Sequence, residues 1–88
     1  MSYRIAFKKS VGGDLKKIGK DQAERILKKI EQDLPDKADT FPSLAGKFVG
    51  LRKFRIGDYR VIYTILEDTA LILRIRHRPE AYRNITSG

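Results

Sequence analysis

The apolar pattern predicts an α+β domain of two layers, ordered β-α-α-β-β-β, with a helical hairpin packed on a mostly antiparallel four-stranded sheet. Three observations carry this expectation. Residues 11–34 hold apolar side chains at spacings of three and four, residues 51–76 alternate apolar with charged, and Gly57-Asp58 interrupts the alternation as a two-residue hairpin loop does.

Taken in order, Tyr3 to Phe7 is short and alternating and reads as a first strand. Val11, Leu15 and Ile18 form one stripe of a short helix, with Gly12 and Gly13 weakening its start and Gly19 placed to end it. Asp21 and Glu24 resemble a capping box opening a second helix, in which Ala23, Ile26, Leu27, Ile30 and Leu34 face one way. Pro35 is expected to end it. From Asp36 to Gly50 the chain is loop-like, punctuated by Pro42, Gly46 and Gly50. Leu51–Ile56, Tyr59–Leu66 and Ala70–Arg76 are the remaining strands, the last two joined by a turn at Glu67 to Thr69. One domain is expected over residues 1–88, with 85–88 a flexible tail.

A chain of 88 residues buries only about 60–65% of its unfolded surface, so its margin of stability is thin. It has no cysteine and a single histidine, His77, which leaves no thiolate cage and no multi-imidazole metal site. Any chemistry is therefore expected from side chains alone, without metal or cofactor. No apolar stretch reaches the ~20 residues of a membrane span and the N-terminus lacks a signal-peptide pattern, so a cytoplasmic location without membrane contact is expected.

Charge narrows the function. Lys and Arg number 19 against 11 Asp and Glu, a net +8 that favours polyanionic partners. Pairing across Gly57-Asp58 puts Ile56 opposite Tyr59, Arg55 opposite Arg60 and Phe54 opposite Val61. One sheet face then collects Phe54, Ile56, Tyr59, Val61, Tyr63 and Ile65, which the helices cover. The other collects Lys53, Arg55 and Arg60, joined by Arg74, Arg76 and Arg78. From Gly46 onward there are nine basic residues and four acids, three of them in or beside turns. Directly opposed like charges destabilise a sheet, so this face is better explained by an anionic ligand than by solubility. Lys16, Lys17, Lys28 and Lys29 lie among acids such as Asp14, Glu24, Glu31 and Asp33 and read as a solvated helical surface.

Such a face has what RNA cleavage needs. Attack of a 2′-hydroxyl on the adjacent phosphate requires a base, cationic donors for the phosphorane and an acid at the leaving 5′-oxygen. Arg60 is placed to hold the phosphate, Lys53 and Arg55 to add charge, and His77 and Arg78 stand at the strand exit. Tyr82 offers a ring for an unpaired base. Lys47, Arg52 and Arg76 extend the candidate RNA contacts.

The run LAGKFVGLRKFRIGDYRVIY from Leu44 to Tyr63, and IRHRPEAY from Ile75 to Tyr82, resemble the signature of RelE-type toxins of the RelE/ParE toxin–antitoxin superfamily. The resemblance spans nearly the whole chain. It implies the toxin of a type II system, a metal-independent endoribonuclease that enters the ribosomal A site, meets 16S rRNA and mRNA there, and leaves a 2′,3′-cyclic phosphate. It also implies silencing by a RelB-like antitoxin. Under it, Arg60 stabilises the scissile phosphate, Lys53 serves as base or charge stabiliser, Arg78 is the acid and Tyr82 stacks on the mRNA base. His77 is a second acid candidate. Some relatives carry a further lysine where this chain has Leu51. The competing expectation is a ParE-like gyrase inhibitor of the same architecture without nuclease chemistry; the set Lys53, Arg60, Arg78 and Tyr82 favours the nuclease.

Overall fold

The computed structural model describes residues 2–44 and 50–77. Over them the chain forms β1 (Arg4–Phe7), α1 (Lys9–Ile18), α2 (Lys20–Lys37), β2 (Leu51–Ile56), β3 (Tyr59–Leu66) and β4 (Thr69–His77), the element order the sequence predicts. The sheet order is β1-β4-β3-β2. β2–β3 and β3–β4 are antiparallel hairpins, whereas β1 lies parallel to β4, with Arg4 beside Thr69 and Phe7 beside Ile72.

The helical stripes do cover the alternating face. Val11 of α1 and Ile26, Ile30 and Leu34 of α2 are buried against Phe54, Val61, Tyr63, Ala70, Ile72 and Ile75. Ile56, Tyr59 and Ile65 pack at the margin of this core. The buried Tyr63 hydroxyl donates to the carbonyl of Ala38, just past α2, so the one polar atom its ring carries inward is satisfied. Burial pushes its pKa up to about 12.

Two local expectations are corrected. Asp21 is not an N-cap. Gly19, at φ 101°, closes α1 by donating its amide to Leu15, 3.1 Å away, and its own carbonyl accepts the amide of Ala23 at 2.8 Å. With one residue joining the helices, Asp21 falls inside the first turn of α2, where its charge complements the helix dipole but caps nothing. Nor does Pro35 end α2, which runs on to Lys37. A proline there withholds its amide only from Glu31, on the exposed side, and buried Leu34 and Ala38 hold the last turn down. Its carbonyl is used as well, accepting the amide of Tyr3 at 2.7 Å and tying the start of the chain to the helix.

β4 is not a uniform strand. Its register against β3 shifts by one residue, with Ile62 beside Arg74 but Tyr63 beside Ile72, leaving Leu73 as the extra residue of a bulge.

Candidate functional site

Strand pairing assembles the basic face as two rows. Arg55, Arg60 and Arg76 are direct neighbours across β2, β3 and β4, and Lys53, Ile62 and Arg74 form the next row. Arg55 and Arg76 are exposed, while Arg60 and Lys53 are half-buried. Among the described residues, none of Lys53, Arg55, Arg60 and Arg76 has a carboxylate within ion-pair distance. The three arginines therefore stand as adjacent planar donors unpaired with any carboxylate of the described residues, an arrangement suited to phosphate oxygens.

Beside them lies a cleft of about 340 Å³ lined by Phe41, Pro42, Lys53, Phe54, Arg55 and Arg60. Phe41 stacks on Phe54 with ring centroids 4.6 Å apart. Its segment is held along the outer edge of β2, where Lys53 donates its amide to Pro42 at 3.2 Å and Leu44 donates to Leu51 at 2.8 Å. Sequence reasoning passed over Phe41 and Pro42 as loop. The available signal was the adjacent aromatic and proline at Phe41-Pro42, within a connection that also carries Leu44, Phe48 and Val49. The cleft joins an apolar wall to three cations, the combination that holds a base and its phosphate together.

Other expected site residues go elsewhere. Arg52 shares the parity of Phe54, so its side chain projects to the helix side, where it donates to the carbonyls of Phe41 (2.6 Å) and Asp39 (3.3 Å). It fastens the α2–β2 connection and is turned away from the arginine row. His77 is opposite Tyr59 in register, its ring 5.0 Å from the tyrosine ring and tilted against it, also on the helix side. Lys47, Arg78 and Tyr82 lie outside the described residues.

Arg74 is the clearest departure from an all-open basic face. Its guanidinium makes a bidentate pair with Asp14 of α1, at 3.0 and 2.9 Å, and the same carboxylate accepts the amide of Ile75 at 2.9 Å. Asp14 is thus no member of a solvated helical surface; it is only 7% exposed. Burial by itself would raise its pKa, but the bonds from Arg74 and Ile75 and the charges of Arg74 and Arg76 hold it below the usual aspartate value of 3.8. Arg74 is pushed further up by the same pair. No sequence motif links residues 14 and 74; only the packing of α1 on β4 does. A second cavity, of about 260 Å³, opens beside this pair, with Lys17, Tyr59, Arg76 and His77 on its walls. Among the described residues no three His, Asp or Glu side chains converge as metal ligands, and no helix is long and apolar enough to cross a membrane.

With this geometry in place, the comparisons with known proteins are informative. A family model for the ParE toxin of the type II toxin–antitoxin system parDE matches residues 5–82. No curated protein matches the sequence. Among solved structures, the toxin–antitoxin complex RelBE2 from Mycobacterium tuberculosis is similar, with 26% identity, a TM-score of 0.81, and coverage of 89% of this chain and 100% of that one. The archaeal RelE–RelB complex from Pyrococcus horikoshii OT3 is 31% identical over 89% of this chain and 97% of that chain, with a TM-score of 0.63. The chromosomal ParDE system of P. aeruginosa shares the fold, at 16% identity and a TM-score of 0.66 over 86% of this chain and 96% of that one.

Proposed function

The chain belongs to the ParE toxin family of type II toxin–antitoxin systems, and from that premise we propose that it acts as a RelE-like endoribonuclease that cuts mRNA in the ribosomal A site. The observation that carries this reading is the row Arg55–Arg60–Arg76, flanked by Lys53 and the Phe41–Pro42 wall, with no carboxylate of the described residues within ion-pair distance of it. A sheet that accepts two directly opposed arginine pairs gives up stability, and a phosphate bound between them recovers it.

In this reaction the 2′-hydroxyl loses its proton to a base and its oxygen attacks the adjacent phosphorus. The bond to the 5′-oxygen breaks, that oxygen takes a proton from an acid, and a 2′,3′-cyclic phosphate and a free 5′-hydroxyl remain. Arg60, central in its row, stabilises the phosphorane charge. Lys53, one row away, lowers the cost of forming the alkoxide or takes the proton itself. By resemblance to RelE-type toxins, Arg78 supplies the leaving-group proton and Tyr82 stacks on the base. Arg55 and Arg76 hold flanking phosphates. Arg52 and His77, both turned to the helix side, are left out of the chemistry. The expected partner is a RelB-like antitoxin, since the similar structures from M. tuberculosis and P. horikoshii are RelBE and RelE–RelB complexes, and the basic face favours an acidic chain.

The test is a reconstituted translation system in which mRNA ends are mapped by primer extension. New ends within A-site codons, lost with Arg60→Ala, support the reading. Intact message together with blocked supercoiling by purified gyrase would replace it with a gyrase-inhibitor function.

A further inference from the structure

We infer that Ser10 and Asp14 of α1 are positioning residues for Arg76, acting by pinning the bulge at Leu73. The functional side of this inference rests on the RNA-cleavage reading; the structural side does not.

The inward residues of β4 are Ala70, Ile72 and Ile75, an even step followed by an odd one. In an unbulged strand, side chains alternate strictly, so Arg74 and Arg76 would follow Ile72 inward while Ile75 and His77 turned out. The extra residue Leu73 reverses that parity. Ile75 becomes buried, at 2% exposure, and Arg76 emerges on the outer face next to Arg60. The third arginine of the row owes its place to the bulge.

A bulge weakens the ladder and lends itself to sliding, and this one sits where β4 has lost its neighbour. β1 pairs with β4 only as far as Phe7 beside Ile72. From there α1 takes over the unpaired edge. Lys8 donates its amide to the carbonyl of Ile72 at 2.9 Å, and the Ser10 hydroxyl donates to the carbonyl of Leu73 at 2.7 Å. The Asp14 carboxylate then accepts the amide of Ile75 and the guanidinium of Arg74. Four consecutive residues of β4 are held in this way, the bulged one included. Burying a carboxylate is unfavourable unless its lone pairs are met, and these three bonds meet them at one location of the bulge only. Were the bulge to slip by a residue, Asp14 would face no amide.

Two readouts test the proposal. The first is independent of function. Because the Ile75 amide points away from β3 toward Asp14, Val61 and Ile75 form the narrow, non-hydrogen-bonded kind of pair, which gives a strong Hα–Hα NOE. Asp14→Ala should weaken or relocate that NOE. The second readout is the rate of A-site cleavage in the reconstituted translation system, measured where all variants are folded by circular dichroism. Asp14→Ala should slow cleavage on the order of tenfold, matching the loss of one charge-assisted contact. It should add nothing to Arg76→Ala, yet combine fully with Lys53→Ala. If Asp14→Ala does not fold, Ser10→Ala and Asp14→Asn each remove one bond and should show the same coupling to Arg76 at smaller amplitude. An unchanged Val61–Ile75 NOE, or full additivity with Arg76→Ala, overturns the proposal. If the wild-type protein cuts no message, the RNA reading fails instead, and the NOE alone decides whether Ser10 and Asp14 pin the bulge.

Discussion

Replacing Arg60 by threonine should stabilise the fold while abolishing the proposed activity, because Arg60 is the middle of a row of like charges. It stands directly opposite Arg55 on one side and Arg76 on the other. Charged groups on directly opposed strand residues lie roughly 6 Å apart, so each pair repels by about 0.7 kcal/mol in an aqueous dielectric before screening. With a Debye length of about 30 Å at roughly 10 mM salt, about 0.6 kcal/mol of that survives; at roughly 1 M, where the length is about 3 Å, about 0.1 does. Removing both pairs should therefore release about 1 kcal/mol at low salt and about 0.2 at high salt. Threonine keeps a β-branched side chain on the strand, but the arginine stem that lines the Phe41–Pro42 cleft is lost, which costs a few tenths of a kcal/mol at any salt, roughly. The difference between the two salts isolates charge from packing. For a domain of this size it amounts to a gain in Tm of about 4–6 °C at low salt relative to high. Thermal unfolding by circular dichroism at both ionic strengths reads it directly. A Tm change that is the same at both salts, or a low-salt loss, would refute the view that this face is held together against its own charge.

Other expected outcomes concern the frame. Tyr63→Phe leaves the buried Ala38 carbonyl without its donor and should lower urea-unfolding stability by about 1–2 kcal/mol at neutral pH. The raised Tyr63 pKa adds a pH signature: its contribution is full below about pH 10, where an unfolded tyrosine ionises, and is lost as pH rises toward about 12, a slope the phenylalanine variant should lack. Asp14→Asn should flatten the acid side of the stability profile. The carboxylate is held below its ordinary value of 3.8, so its contribution is present above that pH and lost as pH falls through the lower folded value. Thermal melts between about pH 2 and about pH 5 should show the wild type's advantage over the variant shrinking as pH falls, the two curves converging at the acid end. Gly19→Ala should cost about 1 kcal/mol in the same melts, since φ is 101° there while a Cβ meets nothing within 4 Å, making the loss conformational rather than steric.

The sequence alone determines the element order and which strand residues share a face, because strand parity and helical spacing are local. The pairing of Arg55 with Arg60 followed from a two-residue loop, and the inward turn of Arg52 was available from the same parity as Phe54, although its charge suggested a ligand contact. Even the bulge left a trace, in the odd step from Ile72 to Ile75. The tertiary structure alone decided what these local facts meet. A carboxylate on α1 reaches β4 some 60 residues away, removing Arg74 from the open basic face and burying a charge that helical periodicity had assigned to solvent. Pro35 continues a helix it should end, because burial of Leu34 and Ala38 outweighs one missing amide. β1 chooses β4 as a parallel neighbour, and α1 finishes the edge that β1 leaves open. Each of these depends on surfaces distant in sequence coming into contact, and free energies of long-range contact are written in no local pattern.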